Sequence, residues 1–218
     1  VNKFIHVNDR VFSDINMLAA LKRSDLDPDP FRQFQTWLSL AADTCAAEPD
    51  AMALATVSED GQPSVRMVLL KHADAGGFVF YTNYLSRKGK EFEANPHAAL
   101  VFYWPELNRQ VRVTGYVEKL PVEESDEYFN SRPEQNRISA CISPQSEIVT
   151  SREELEKRFD EFQKKHAGTD IPRPGHWGGY RLVPREIEFW QGRPGRLHDR
   201  FVYIAGKDNT WTINRLAP

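Results

Sequence analysis

Residues 51–71 read AMALATVSEDGQPSVRMVLLK, two apolar or alternating runs around a polar reversal. Ala51 to Val57 and Ser64 to Lys71 have strand character, and Ser58-Glu59-Asp60-Gly61-Gln62-Pro63 between them collects the residue types that turn a chain. A third run, Phe78 to Thr82, follows the turn-rich Ala73-Asp74-Ala75-Gly76-Gly77. Three antiparallel strands in succession are therefore expected. Ala98 to Tyr103 and Gln110 to Lys119 read as two more, and Tyr180 to Val183, Glu186 to Trp190, Phe201 to Ile204 and Trp211 to Leu216 as late strands. Tight turns between successive β-runs favour an antiparallel meander or barrel over a doubly wound parallel sheet.

Helical periodicity surrounds this β-rich middle. Phe31, Phe34, Trp37, Leu38, Ala41 and Cys45 fall at helical spacing behind Asp29 as cap and Pro30 at the first helical position. Ser86 to Asn95 reads as a short polar helix stopped by Pro96, and Glu123 to Asn130 as another. Ser151 to His166 opens on a capping box, Ser151-Arg152-Glu153-Glu154, and turns Leu155, Phe159 and Phe162 inward. The fold class expected is mainly β with flanking helices.

The chain has 218 residues, 40% hydrophobic and 27% charged, enough to bury a large core without covalent staples. Cys45 and Cys141 stand in no metal-binding or redox spacing, which favours buried thiols in a reducing compartment. No apolar stretch in Val1 to Asp14 is long enough for a secretory or membrane segment, so a cytoplasmic location and no membrane partner are expected. A formal charge of -3 argues against nucleic acid as a partner. Basic residues are nevertheless concentrated between Arg66 and Arg112 and between Arg173 and Arg200, a pattern that suits a small anionic ligand such as a phosphate ester.

No Walker loop, strand-borne Gly-x-Gly-x-x-Gly, nucleophile elbow, His-Glu-x-x-His or Cys-x-x-Cys is present, which lowers the case for nucleotide-triphosphate and metal-hydrolytic chemistry, and no metal is expected. Cationic and amide side chains at strand ends remain. In Arg66-Met67-Val68-Leu69-Leu70-Lys71, Arg66, Val68 and Leu70 share one strand face and Met67, Leu69 and Lys71 the other. Ser86-Arg87-Lys88 opens a short helix, where backbone donors and two cations can hold a phosphate together. Arg196-Leu197-His198-Asp199-Arg200, behind Glu188-Phe189-Trp190-Gln191-Gly192, places two arginines and a histidine against aromatics. By spacing alone that run fits an anion site or a surface salt-bridge lattice with Asp199.

These pieces together resemble the pyridoxine/pyridoxamine 5'-phosphate oxidase family. The likeness is carried by Arg66 to Lys71, Phe80-Tyr81-Thr82-Asn83, Ser86-Arg87-Lys88-Gly89, Asn108-Arg109-Gln110-Val111, Tyr128-Phe129-x-Ser131-Arg132-Pro133, Gln145-Ser146, Trp177-Gly178-Gly179, Glu188 to Gly192 and Arg196 to Arg200. It runs from Asp25-Leu26 to Pro218. Residues 1–24 are thereby set aside as an N-terminal segment expected to be mobile, and 25–218 as one FMN-binding domain. The resemblance implies an antiparallel split β-barrel that works as a homodimer with two FMN sites in the subunit interface.

Carried over by position, the resemblance assigns FMN to Arg66, Met67, Val68, Leu69, Leu70, Lys71, Tyr81, Thr82, Arg87 and Lys88 of one subunit. Gln110, Gln145, Ser146, Trp190 and Arg200 of the other complete the site. Lys71, Tyr128, Arg132 and position 136 are assigned to the substrate's phosphate, and Arg196, Leu197 and His198 to its ring, with Arg196 and His198 catalytic. The implied reaction oxidises phosphorylated B6 vitamers with O2. Two positions depart from the family pattern: Asn136 stands where a serine is usual, and Ser13 and Asn16 stand where an arginine and a tyrosine usually cover the substrate. A phenazine-type split-barrel oxidase and a carrier of FMN or pyridoxal phosphate without turnover are the alternatives.

Overall fold

The computed structural model of the chain describes residues 20–44 and 48–218, so Ser13, Asn16 and Cys45 lie outside the described residues. One antiparallel sheet of nine strands dominates it. Its strands are β1 (Ala51–Val57), β2 (Pro63–Leu69), β3 (His72–Asp74), β4 (Gly77–Asn83), β5 (His97–Trp104), β6 (Arg109–Lys119), β7 (Trp177–Gln191), β8 (Asp199–Ala205) and β9 (Trp211–Arg215). The order is β2-β1-β5-β6-β7-β4-β3, with β8 on β7 and β9 on β8. The ends of that path approach each other, because β2 leads into β3 through Leu70-Lys71 and the Lys71 N–H donates to Val79 O at 2.8 Å. The sheet is thus curled into the expected split barrel.

Alternation sets its interior. Met52 and Leu54 on β1, Leu100 and Phe102 on β5, Val111 and Val113 on β6 and Ile187 and Phe189 on β7 are all buried, while their sequence neighbours face outward. Helix α1 (Pro30–Thr44) covers one opening. Its start is as expected, for Asp29 Oδ1 accepts from the Phe31 N–H at 2.8 Å with Pro30 at the first helical position. Phe34, fully buried, meets Phe78 and Phe102 with ring centroids 5.0 Å away, and Trp37 meets Phe189 edge-on at 5.2 Å.

Helix α2 (Arg87–Ala94) lies after β4, and α3 (Val122–Ser131), α4 (Glu134–Ile142) and α5 (Arg152–Lys165) follow β6. These last three close a second, smaller core of Phe129, Ile138, Ala140, Ile171 and Trp177, against which Phe159 and Phe162 pack. The cap of α5 is as read, with Ser151 Oγ accepting from the Glu154 N–H at 3.3 Å.

Two features differ from the sequence reading. The two late runs at Tyr180 to Val183 and Glu186 to Trp190 are one strand of 15 residues, β7. Pro184, which has no N–H to give the ladder, is absorbed at a register shift opposite Thr114/Gly115, where a Cβ on Gly115 would stand 2.0 Å from Val183 O. Helix α4 was not anticipated, because only Ile138 and Ala140 of its nine residues are buried and its periodicity is weak. Of the N-terminal segment 1–24, residues 1–19 lie outside the described residues; within 20–24, Leu21 is buried and its N–H donates to Asp199 Oδ2 at 3.0 Å. Among the described residues no helix is long and apolar enough to cross a membrane.

The α1 plug supplies a direct test of this packing. Phe34→Ala should lower unfolding free energy by about 3–5 kcal/mol, the range for deleting a buried phenyl ring from a close-packed core. Urea denaturation should show the midpoint falling with the slope unchanged.

Candidate functional site

Where β4 ends and α2 begins, the chain concentrates buried charge. Ser86 caps α2, with its hydroxyl accepting from the Gly89 N–H, and Gly89 permits the helix to approach β4 closely: a Cβ there would lie 2.0 Å from Tyr84 O. That approach carries Lys88 inward until it is 7% exposed. Its ammonium donates to Thr82 Oγ1 at 3.1 Å, Gln145 Oε1 at 3.1 Å and Ser86 Oγ at 3.3 Å. All three acceptors are neutral, and among the described residues Lys88 has no ion pair. Burial, reinforced by the neighbouring Arg66 charge, pulls its pKa down to about 8 despite Glu91 nearby.

Arg66, on the inner face of β2, is tied down by its own strand partners. Its Nη1 donates to Leu54 O at 3.1 Å and Thr56 Oγ1 at 2.6 Å, while Nη2 donates to Ser64 Oγ and, at 3.3 Å, to Glu91 Oε2. Arg87 places Nε 2.8 Å from Glu91 Oε1. Burial opposes the charge on Glu91, yet hydrogen bonds from Thr56, Ser64 and Arg87 and the Arg66 guanidinium hold its carboxyl at about 2. A cleft of about 470 Å³ opens beside this group, lined by Arg87, Lys90, Glu91, Gln145 and Ser146 among others.

Gln145 and Ser146 correct the sequence reading, which gave them to a partner subunit. The Gln145 carboxamide oxygen accepts from Thr82 Oγ1 at 3.0 Å as well as from Lys88, so these residues complete the cleft within their own chain. The reason is the α4 turn: Asn83 Nδ2 donates to Ser143 O at 3.2 Å and pins the segment after α4 to the end of β4. Thr56, Ser64 and Glu91 were not singled out from the sequence. The spacing of Arg87 and Glu91, one helical turn apart, was the available signal.

A second group gathers behind β4. Tyr81 stacks on Tyr128 with centroids 3.9 Å apart and on Trp177 at 5.5 Å, and Arg132 lies 4.5 Å above the Trp177 ring. Arg132 Nη1 is buried with no hydrogen-bond acceptor, an unusual state for a guanidinium. Burial pushes the Tyr81 phenol up to about 12, with Glu124 and Tyr128 adding to it. Asn136 is exposed in the first turn of α4. Lys71, grouped with Tyr128 and Arg132 by the sequence reading, instead holds Asp50 Oδ2 at 3.3 Å. Met67 is exposed on the outer face of β2, whereas Val68 and Leu70 lie inward with Arg66.

The remaining candidates occupy the far end of β7. Gln110 opposes Trp190 across β6 and β7, and Trp190 opposes Arg200 across β7 and β8, so the three form a row over three strands. His198 stacks obliquely on Trp190 at 4.7 Å, and its Nδ1 accepts from the Arg193 N–H at 3.1 Å. In the neutral ring the proton is therefore on Nε2. Arg200 is held by Glu188 at 2.7 Å and gives Nη1 to Ala217 O at 2.7 Å, while Asp199 holds Arg215 at 2.8 Å, so part of this run is a salt-bridge lattice. Arg196 and Leu197 are not in it. Both are exposed, and Arg196 sits at φ 60° after Gly195 at φ 66°. A cleft of about 410 Å³ adjoins Leu197, His198 and Arg215.

Tyr81 pairs with Gly179, and Trp190 lies eleven residues further along β7, about 36 Å of extended strand. No hydrogen bond, ion pair or ring contact among the described residues joins the Lys88 group to the Trp190 group.

Known proteins share this fold and much of this sequence. A family model described as pyridoxamine 5'-phosphate oxidase matches residues 39–166, and one described as the pyridoxine 5'-phosphate oxidase C-terminal dimerisation region matches residues 177–218. The pyridoxine/pyridoxamine 5'-phosphate oxidase of Trichormus variabilis is 54% identical over 213 residues, covering 96% of this chain and all of its own length. That of Burkholderia multivorans is 55% identical over 202 residues, 92% of this chain and 94% of its own. Among solved structures, PhzG from Burkholderia lata, in complex with tetrahydrophenazine-1-carboxylic acid, superimposes with a TM-score of 0.84 at 32% identity, over 92% of this chain and 99% of that one. Matched by both models and more than half identical to these oxidases over nearly its whole length, the chain belongs to the pyridoxine/pyridoxamine 5'-phosphate oxidase family.

Proposed function

We propose that this protein is a homodimeric FMN oxidase that converts pyridoxine 5'-phosphate or pyridoxamine 5'-phosphate to pyridoxal 5'-phosphate. O2 accepts the electron pair and leaves as H2O2; the amine substrate also consumes water and releases ammonia. The observation that carries the reading is Lys88, a buried ammonium with neutral acceptors only, one of which, Gln145, lines a cleft together with Arg87. A buried cation without a counter-ion is costly, and a phosphate monoester supplies what is missing. The residues therefore fit FMN: Lys88 and Arg87 for its phosphate, Arg66 beneath them, and Thr82, Gln145 and Ser146 around them. The bound flavin supplies a two-electron acceptor for the substrate's exocyclic carbon.

The chain's own residues bind, orient and hold protons. Arg132, with its buried and unpaired Nη1, and Tyr128 are suited to the substrate's phosphate, with Lys71 and Asn136 as further donors. Arg196 can orient the pyridine ring through its planar fork, and the Nε2–H of His198 can donate to the substrate's polar substituents. Holding the ring in one pose against the cofactor makes the transfer effectively intramolecular. Trp190 offers an aromatic face for packing.

A second copy is required because the Lys88 and Trp190 groups are set apart along β7. The outer sheet face fits such a partner: Val65, Met67 and Tyr103 are 68%, 63% and 59% exposed beside the small Ala53, Ala55 and Ala99. A second reading, oxidation of a tricyclic carboxylic acid of the kind bound by PhzG, is favoured by that structural likeness. The oxidase assay separates the two. With FMN present, peroxide and aldehyde should form from the phosphorylated vitamers far faster than from the unphosphorylated ones. No turnover of either phosphate ester would end the proposal.

Three outcomes follow from these assignments. In free protein Lys88 loses its proton near pH 8, and a bound phosphate favours the charged form, so FMN affinity should be level below pH 8 and fall above it. Fluorescence titrations between about pH 7 and 9.5 should show the fall, and Lys88→Gln should flatten it while Arg66 and Glu91 stay in place. Arg196→Lys keeps the charge but loses the fork, so kcat should drop at least about tenfold with FMN affinity nearly unchanged. Asn136→Ser should shift KM for the phosphorylated substrate and leave kcat alone, because a phosphate contact is equal in ground and transition states.

A further inference from the structure

A carboxylate inside an anion site opposes the ligand by its charge, so its presence there calls for a physical reason. Glu91 is 5% exposed, one helical turn beyond Arg87. Its Oε1 accepts from Arg87 Nε at 2.8 Å and Ser64 Oγ at 3.0 Å. Its Oε2 accepts from Ser64 Oγ at 2.8 Å, from Arg66 Nη2 at 3.3 Å and from Thr56 Oγ1. The carboxylate thus links guanidiniums from two elements, β2 and α2. Arg66 gives four of its five N–H groups to Leu54, Thr56, Ser64 and Glu91, so it is an anchor more than a free ligand. Arg87 differs: its side chain is 58% exposed at the cleft, and Nε makes its one hydrogen bond among the described residues.

We infer that Glu91 is a positioning residue for the cofactor's phosphate, gripping Arg87 by Nε so that its two Nη nitrogens face a phosphate monoester as a fixed fork. This rests on the reading of the cleft as the FMN phosphate site. A guanidinium held at Nε loses less freedom when it binds a phosphate in bidentate fashion. Within the hydrogen-bonded cluster, Arg66, Arg87 and Lys88 against Glu91 leave two positive charges, the complement of a phosphate dianion; Glu59, Lys90 and Glu147 also line the cleft.

The test titrates apoprotein with FMN and with riboflavin, which lacks the phosphate. Arg87→Ala should weaken FMN binding by about tenfold or more and riboflavin binding by less than about twofold. In a Glu91→Gln background the same substitution should cost less than about threefold, because the fork is no longer held. Equal costs in the two backgrounds would overturn the inference. Arg87→Lys tests it with Glu91 itself unchanged: an ammonium held by the carboxylate has no planar fork left to present to a phosphate, so FMN binding should fall nearly as far as with alanine. Wild-type affinity in Arg87→Lys would mean that charge alone suffices, and the positioning role would be lost. Should Arg87→Ala weaken FMN and riboflavin alike, the phosphate-site reading itself fails and takes the inference with it.

Discussion

Strand β7 is the constraint on which the molecule depends. Over 15 residues it bonds β4 and β6 at one end and β6 and β8 at the other. A strand of that length must bend to stay on a barrel, and the register shift at Thr114/Gly115 falls opposite Pro184, which has no N–H to pair. The Gly178-Gly179 end is packed under Tyr81 and Thr82, and the Trp190 end aligns Gln110 and Arg200. Both groups of candidate site residues are thereby placed by one piece of backbone, at opposite ends of it.

Electrostatics around α2 follows from the same economy of space. Gly89 lets the helix approach β4 so closely that Lys88 is driven under it, and among the described residues no carboxylate pairs with its ammonium. The nearest buried carboxylate, Glu91, is occupied by Thr56, Ser64, Arg66 and Arg87. One basic cluster therefore divides into cations that are already neutralised and cations that are not. Arg132 repeats the pattern behind β4: it stacks on Trp177 and keeps a buried donor without an acceptor. Uncompensated buried donors of this kind are rare in structural roles and common where an anion binds.

Much of the fold was legible in the sequence because its signals are local. The alternation in residues 51–71, the turn at Ser58 to Pro63, the Asp29-Pro30 helix start and the capping box at Ser151 each act over a few residues, and each appears as read. Where a long-range partner decides, the reading stopped short. Pro184 looked like a strand break until Gly115 on β6 absorbed it, and α4 has too small a buried face for periodicity to reveal.

The same division holds for the site. Sequence by itself determined the residue types, since arginines, a lysine and amides at strand ends suit a small anionic ligand, and the ordered motifs specify the family. Only the tertiary structure decided which of those groups are free to act. It tied Arg66 to its own strand neighbours and left Lys71 in a partly exposed pair with Asp50, and it set Gln145 against Thr82 and Lys88 of the same chain. It also made Glu91 the hub of the cluster. The physical reason is that residue type fixes charge and donor count, whereas desolvation and pairing, which determine whether a charge is available to a ligand, depend on neighbours far apart in the chain.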